Sequence, residues 1–257
     1  AGGLSCGGLK PIVAIYSTFL QRAYDQLIHD IMLQELDILL AIDRAGIVGA
    51  DGETHQGIYD ISFLRILPKI ILMTPSNEQE QWAMLNTGLN YNGIAAVRYP
   101  RGFTRGLDLD LNNECLPIGK SKTIIKGSKI AYLVFGTLLN EVIDVAKLNG
   151  ATVIDMRFVK PIDENVITDL CHSHDYIFTV EDNAILGGAG SAVTEVVNKN
   201  NITKNIVNIG VPDNIIPHGN QIEILSDLGL DAKGIIKTTN DHIKKMGNLK
   251  KKVNIKG

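Results

Sequence analysis

Three short stretches of this 257-residue sequence gather residue types that do chemistry on small anions. The first is Tyr16-Ser17-Thr18-Phe19-Leu20-Gln21-Arg22, two aromatics with a cation one helical turn later. Helical positions three apart are neighbours, so Phe19 and Arg22 can face one ligand. A core Phe19 and a surface Arg22 fit the same spacing, and spacing alone leaves both open. The second stretch, Asp43 to Gly57, is long, glycine-rich and dense in titratable groups. The planar fork of Arg44 suits a phosphate or carboxylate. Imidazoles titrate near neutrality, so His55 can exchange a proton with a substrate oxygen. Asp51 can orient that imidazole or bind a hydroxyl. A solvated surface loop is the plainer reading, although long ordered loops in compact domains are often functional. The third stretch, Arg98-Tyr99-Pro100-Arg101-Gly102, offers two arginines to an anion, or to solvent at an ordinary turn.

These stretches follow apolar, strand-like runs. Pro11 to Tyr16, Leu36 to Ile42, Ile70 to Met73 and Ala95 to Tyr99 read as strands. Thr18 to Gln34 has apolar pairs every four residues and reads as one helix, capped by Ser17 or Thr18. Asn77 to Tyr91 reads as another. After a periodless segment, Phe103 to Pro117, with Asp108, Asp110, Asn112 and Asn113, a second series begins. Its strands fall near Lys129 to Phe135, Ala151 to Asp155, Tyr176 to Val180 and Ile206 to Ile209, and its last helix near Ala232 to Met246. Alternation of β and α over two series predicts an α/β protein, two doubly wound domains with mostly parallel sheets. The expected domains are 1–103 and 118–246, with a linker at 104–117 and a frayed tail at 247–257. Ligands of parallel sheets gather beyond the carboxyl ends of strands. Arg22, Arg44, Arg101, Tyr16, Phe19 and His55 all fall there. That placement favours a phosphorylated small substrate.

Composition narrows the function further. Apolar residues make up 45% and charged residues 21%, which excludes a low-hydrophobicity disordered chain. With 25 Lys and Arg against 28 Asp and Glu, the net charge of -3 gives no basic excess for nucleic acid. The longest apolar runs, such as Ile38 to Ile42, are too short to span a bilayer. Cys6, Cys115 and Cys171 are scattered and form no zinc or disulfide pattern, so a reducing compartment is expected. Gly187-Gly188-Ala189-Gly190-Ser191 misses the dinucleotide spacing and reads as a close strand-to-helix turn. Glu181-Asp182 before it can pair with a backbone amide or an adjacent chain. His172 and His174 read as surface residues, with no metal ligand expected. Ala1 to Leu4 reads as the end of a helix with no start of its own, and no initiator Met or signal peptide is visible. The chain is therefore expected to be a piece of something longer.

The segments Tyr16 to Gln26, Asp43 to Gly57, Arg98 to Gly102, Asp155-Met156-Arg157-Phe158-Val159-Lys160-Pro161 and Asn183 to Ser191 closely resemble the 1-deoxy-D-xylulose-5-phosphate synthase family. The resemblance runs to about residue 245. It implies a transketolase-like pyrimidine-binding domain, incomplete at its N-terminus, followed by a transketolase C-terminal domain. It implies thiamine diphosphate and Mg²⁺ as cofactors, with pyruvate and D-glyceraldehyde 3-phosphate as substrates. The products would be 1-deoxy-D-xylulose 5-phosphate and CO2, feeding isoprenoid, thiamine and pyridoxal synthesis. By matching motif, Phe19 stacks on the cofactor's aminopyrimidine with Arg22 near the same ring. Tyr16, Arg44 and Arg101 contact substrate, and Asp51 and His55 bind the acceptor and relay protons. The ring-protonating glutamate and the Mg²⁺ ligands belong upstream, so the chain alone is expected to be inactive. A β-like subunit of a split enzyme and a non-catalytic remnant are the alternatives. A homodimer in the bacterial cytoplasm, or a plastid in a eukaryote, completes the expectation.

Overall fold

A computed structural model describes residues 1–102, 106, 109–112 and 114–254, with side chains to residue 248. Phe103, Asp108 and Asn113 of the expected linker, and the end of the expected tail, lie outside the described residues. The described chain runs α1 (Gly2–Cys6), β1 (Ile12–Tyr16), α2 (Ser17–Leu20), α3 (Tyr24–Gln26), β2 (Ile38–Asp43), α4 (Asp60–Leu64), β3 (Ile71–Met73), α5 (Glu78–Asn90) and β4 (Ile94–Arg98). It continues through β5 (Lys122–Ile125), β6 (Ile130–Phe135), α6 (Leu139–Asn149), β7 (Thr152–Asp155), β8 (Phe158–Lys160), α7 (Glu164–Ser173) and β9 (Tyr176–Ala184). It ends with α8 (Ala189–Lys199), β10 (Ile206–Val211), α9 (Gln221–Asp227) and α10 (Ala232–Asn254).

The strands form two five-stranded sheets, ordered β1-β2-β4-β3-β8 and β10-β9-β6-β7-β5. Pairing is parallel except at β8 and β5, each antiparallel at one edge. The interior strands β2, β4 and β6 are apolar because helices or the other half of the chain cover both faces. Two short strands had no clear period in the sequence, and β8 carries the larger consequence. Although β8 belongs to the second series, it pairs with β3 and completes the first sheet. The two halves therefore share a sheet, and their cores interleave. Ile47 and Ile58 of the first half lie in the same apolar cluster as Tyr132, Phe178 and Ile216 of the second.

The expected single helix over Thr18 to Gln34 is instead broken. After α2 come a 3₁₀ turn (Gln21–Ala23), α3 and a π-helical segment (Leu27–Met32). No side chain caps its start. Tyr16 takes the N-cap position, and the hydroxyls of Ser17 and Thr18 are buried without a partner. The last helix continues past Met246 to Asn254.

Candidate active site

β1 and β2 lie side by side in parallel, with Tyr16 opposite Asp43, so their carboxyl ends open at the same level. Tyr16 stacks on Phe19, ring centroids 5.1 Å apart and planes 9° from parallel. Phe19 has no core role, since it is 52% exposed. His55 stands edge-on to both rings, 5.5 Å from Phe19 and 6.4 Å from Tyr16. The guanidinium carbon of Arg44 lies 4.1 Å from the Tyr16 ring centroid, within cation–π range.

The loop from Asp43 to Gly57 is closed at its neck by Gly46 and Gly57, which exchange backbone hydrogen bonds. A β-carbon on Gly57 would stand 2.0 Å from the Arg44 carbonyl, so only glycine fits there. Between the neck residues the chain makes two 3₁₀ turns, Gly49–Asp51 and Glu53–His55. They bring Asp51 to the arginines. One Asp51 oxygen lies 3.2 Å from Arg101 Nε and 3.8 Å from Arg44 Nε. Asp43 pairs with Arg44 Nη1 and accepts the Arg44 backbone N–H at 2.6 Å. Thr54 Oγ1 lies 2.9 Å from His55 Nδ1 and ties down that side of the imidazole.

Two cations and two carboxylates thus meet at the ends of β2 and β4. Their charges balance, but their hydrogen-bonding capacity does not. Each guanidinium carries five N–H donors. Arg44 Nε is buried and has no hydrogen-bond partner. An anion with several oxygens would find donors here that the carboxylates leave unused. Burial raises the Tyr99 pKa, the nearby Asp43 raises it further and Arg44 partly opposes them.

Of the residues expected at the site, the structure brings together Tyr16, Phe19, Arg44, Asp51, His55 and Arg101. Arg22 is exposed in the 3₁₀ turn, outside these contacts. Arg98 does not offer itself to an anion from solvent. Its Nε donates to Asp60 Oδ2 at 2.7 Å and its Nη2 to Asp60 Oδ1 at 3.2 Å. Nη1 donates to Asp182 of the second half, and Nη2 reaches the Gly57 carbonyl at 3.3 Å. Burial disfavours both charged forms, but Asp182 and Asp60 hold Arg98 charged and raise its pKa. Burial raises the Asp60 pKa against the pull of Arg98. Glu181 takes the backbone option open to it, accepting N–H from Ala189 and Gly190 at 2.8 Å each. A β-carbon on Gly188 would stand 2.4 Å from its carboxylate, which explains the glycine run as a close strand-to-helix turn. Burial pushes the Glu181 carboxyl up to about 8, although both backbone N–H groups oppose the shift.

Known proteins resemble both halves of the chain. Residues 1–106 match the transketolase pyrimidine-binding domain and residues 119–235 the transketolase C-terminal domain. The chain thus carries these two transketolase domains in tandem. A 1-deoxy-D-xylulose-5-phosphate synthase of Haemophilus influenzae is 57% identical over 249 residues, covering 97% of this chain and 40% of that protein. The Vibrio campbellii synthase is 51% identical, over 95% of this chain and 40% of its own length. The chain spans about two fifths of the length of these curated relatives. A solved structure described as a split gene transketolase, inactive β4 tetramer, superposes with a TM-score of 0.85 at 23% identity, covering 94% of this chain and 78% of that one. The Campylobacter jejuni transketolase gives 0.70 at 15% identity, over 90% and 35%. Both structural likenesses show the transketolase fold.

Among the described residues, no group of three or more His, Cys, Asp or Glu could hold a metal ion. No described helix is long and apolar enough to cross a membrane. For a flat, partly polar ring the residues at β1 do fit. Phe19 presents an exposed aromatic face, and the buried Ser17 and Thr18 hydroxyls beside it lack partners.

Proposed function

We propose that the chain is the pyrimidine-binding and C-terminal part of a 1-deoxy-D-xylulose-5-phosphate synthase. It would condense pyruvate with D-glyceraldehyde 3-phosphate, releasing CO2. One observation carries the reading: the similarity to the synthases, 57% identical over 249 residues, spans almost the whole chain, and the Tyr16, Phe19, Arg44, Asp51, His55 and Arg101 cluster falls within the pyrimidine-binding match. Thiamine diphosphate, when bound, supplies the electron sink that lets pyruvate lose its carboxyl group. The chain's own residues do the rest of the work assigned to them. Phe19 offers its face to the pyrimidine, and exposed Arg22 is free to serve the same ring. Arg44 and Arg101 hold the acceptor's phosphate with Tyr16 beside them, and so fix the position of its aldehyde. Asp51 keeps the two guanidiniums aligned and accepts a substrate hydroxyl. His55 gives a proton to the acceptor oxygen as negative charge develops there. In this reading the diphosphate and Mg²⁺ are held by residues beyond these 257. The assembled enzyme is a homodimer of the bacterial cytoplasm.

A second arrangement draws support from the likeness to a split-gene transketolase, in which the missing part is a separate chain. Both arrangements make the isolated chain inactive. The test joins this chain to the upstream part of the Haemophilus influenzae synthase, in place of the matching residues. The fusion is expected to release CO2 from pyruvate only when the aldehyde phosphate is present or strongly faster with it. A folded fusion that binds thiamine diphosphate yet shows no turnover would overturn the reading. Turnover by the isolated chain would overturn the division of labour.

A further inference from the structure

The Asp51 and His55 side chains sit on a loop whose own hydrogen bonds leave much of it unsupported. Its neck is a single bridge, and Arg44, Gly46, Gly49 and Gly52 all have positive φ. Two 3₁₀ turns of three residues each make poor, short-range hydrogen bonds. Support comes instead from the second half of the chain. Ile47 and Ile58, flanking the turns, are each 2% exposed and pack with Ile216 and Ile224. At Gly49 an added β-carbon would stand 2.7 Å from the Gln221 backbone nitrogen and 2.9 Å from the Gly219 carbonyl, so the two backbones are pressed together. Gln221 Nε2 donates to the Ile47 carbonyl. Next to His55, the buried Gln56 carboxamide works at both ends. Its Oε1 accepts the Val48 N–H at 3.0 Å, and its Nε2 donates to the Pro217 carbonyl at 3.3 Å.

We infer that Gln56 is a positioning residue, a strut that couples the Asp51–His55 loop to the 212–221 segment of the C-terminal domain. Its effect on turnover rests on the synthase reading; its effect on the loop does not. Gln56 touches no reacting atom. One amide plane joins the loop's first turn to a carbonyl of the other domain, so moving either end moves His55, the adjacent residue. A misplacement of about 1 Å in a catalytic group costs on the order of 10²-fold in rate. The C-terminal domain therefore acts on the chemistry through the position of this loop.

The test uses two substitutions, one that breaks both ends of the strut and one that breaks only the end at Pro217. Gln56→Met keeps the length and loses both bonds. Gln56→Glu keeps an acceptor for the Val48 N–H but sets a carboxylate against the Pro217 carbonyl. Hydrogen exchange on the 257-residue chain is the first readout. In both variants the amides of residues 47–56 are expected to exchange at least about 10-fold faster, while those of β2, β4, β6 and β9 keep wild-type rates. In the synthase fusion, kcat is expected to fall about 10- to 100-fold with KM for the aldehyde phosphate within about 3-fold. Wild-type loop exchange in both variants would overturn the strut. Loosened exchange with unchanged kcat in an active fusion would overturn its link to the chemistry. Faster exchange in Gln56→Met alone would confine the strut to the loop and remove the second domain from it. An inactive parent fusion counts against the synthase reading only, because the exchange experiment needs no turnover. Should Gln56→Met fail to fold, Gln221→Met removes the neighbouring bond to Ile47, with the same local loosening expected.

Discussion

Arg98 and Arg101 leave the same strand end three residues apart, yet they work in opposite surroundings. Arg98 is 4% exposed and spends its donors on Asp60, Asp182 and the Gly57 carbonyl. Arg101 has a side chain 45% exposed and, among the described residues, one carboxylate contact, Asp51, which it shares with Arg44. The first arginine is a clamp between the two halves of the chain. The second leaves nearly half of its side chain open to solvent. The difference follows from the strand. Arg98 is its last residue, still covered by α4 and β9, whereas Pro100 turns the chain outward before Arg101. Burial decides whether a guanidinium is held by the fold or is accessible to a ligand.

The sharpest way to break that contrast is to remove the buried cation. Arg98→Met leaves Asp60 and Asp182 as unpaired buried carboxylates, and losing one partner of such a pair costs about 3–5 kcal/mol. Urea unfolding should show that loss, with both halves melting together because the clamp joins them. A loss below about 1 kcal/mol would mean the site is far wetter than its burial indicates.

Asp155 sharpens the comparison from the carboxylate side. Like Asp60 it is buried, but its support is a hydroxyl, Ser76 Oγ at 2.7 Å, and the Arg157 backbone N–H. Burial pushes its carboxyl up to about 6, and the neighbouring Glu80 adds to the shift. A raised folded pKa means the neutral form is preferred in the native state. Its stabilising contribution is complete below about pH 4 and is lost as pH rises through about 6. Asp155→Asn removes that titration. The variant should therefore gain stability relative to the wild type between pH 4 and pH 7, by up to about 3 kcal/mol. Thermal unfolding of both proteins across that range checks the sign. A difference independent of pH would show that Asp155 has the same pKa in the folded and unfolded chains.

At the open end of the contrast, Arg101→Ala should leave unfolding within about 0.5 kcal/mol of the parent, as for a surface substitution. In the synthase fusion the same change removes charge-assisted bonds worth about 1.5–3 kcal/mol, so kcat/KM for the aldehyde phosphate should drop about 10- to 100-fold. Arg98 moves stability first; Arg101 moves the reaction alone. A shared response in both assays would dissolve the distinction.

The parts of the molecule that sequence revealed share one physical feature, strong local pattern. Interior strands such as β2 and β4 are continuous apolar runs, and the glycines and titratable groups of the Asp43–Gly57 loop stand out between them. What stayed hidden depends on partners far away in the chain. Phe158–Lys160 is too short to show a period, and its strand character comes from β3 across the domain boundary. The helix expected from Thr18 to Gln34 has regular apolar spacing, but 3₁₀ and π turns interrupt it. The roles of Arg98 and Gln56 required knowing that Asp182 and Pro217 lie against them, 84 and 161 residues on. Both stood within stretches already singled out for chemistry. Nothing in their local spacing distinguishes a strut or a clamp from a ligand.

The smallest expected effect isolates orientation from charge. Thr54 is exposed and its hydroxyl meets His55 Nδ1 at 2.9 Å, so it neither fills the core nor carries charge. Thr54→Val preserves the branched shape and deletes one hydrogen bond worth about 0.5–1.5 kcal/mol. At an exposed position unfolding should shift by less than about 0.5 kcal/mol, because water replaces the lost partner. The imidazole, however, gains freedom to rotate and to exchange tautomers, so a proton on the wrong nitrogen becomes common. For the fusion this predicts a fall in kcat of about 2- to 10-fold with KM unchanged. Thr54→Ser, which restores the hydroxyl, should recover most of the rate. Equal rates for the Val and Ser variants would show that the loop backbone alone fixes His55. The open site would then differ from the buried clamp in owing its geometry to the backbone and not to side-chain hydrogen bonds.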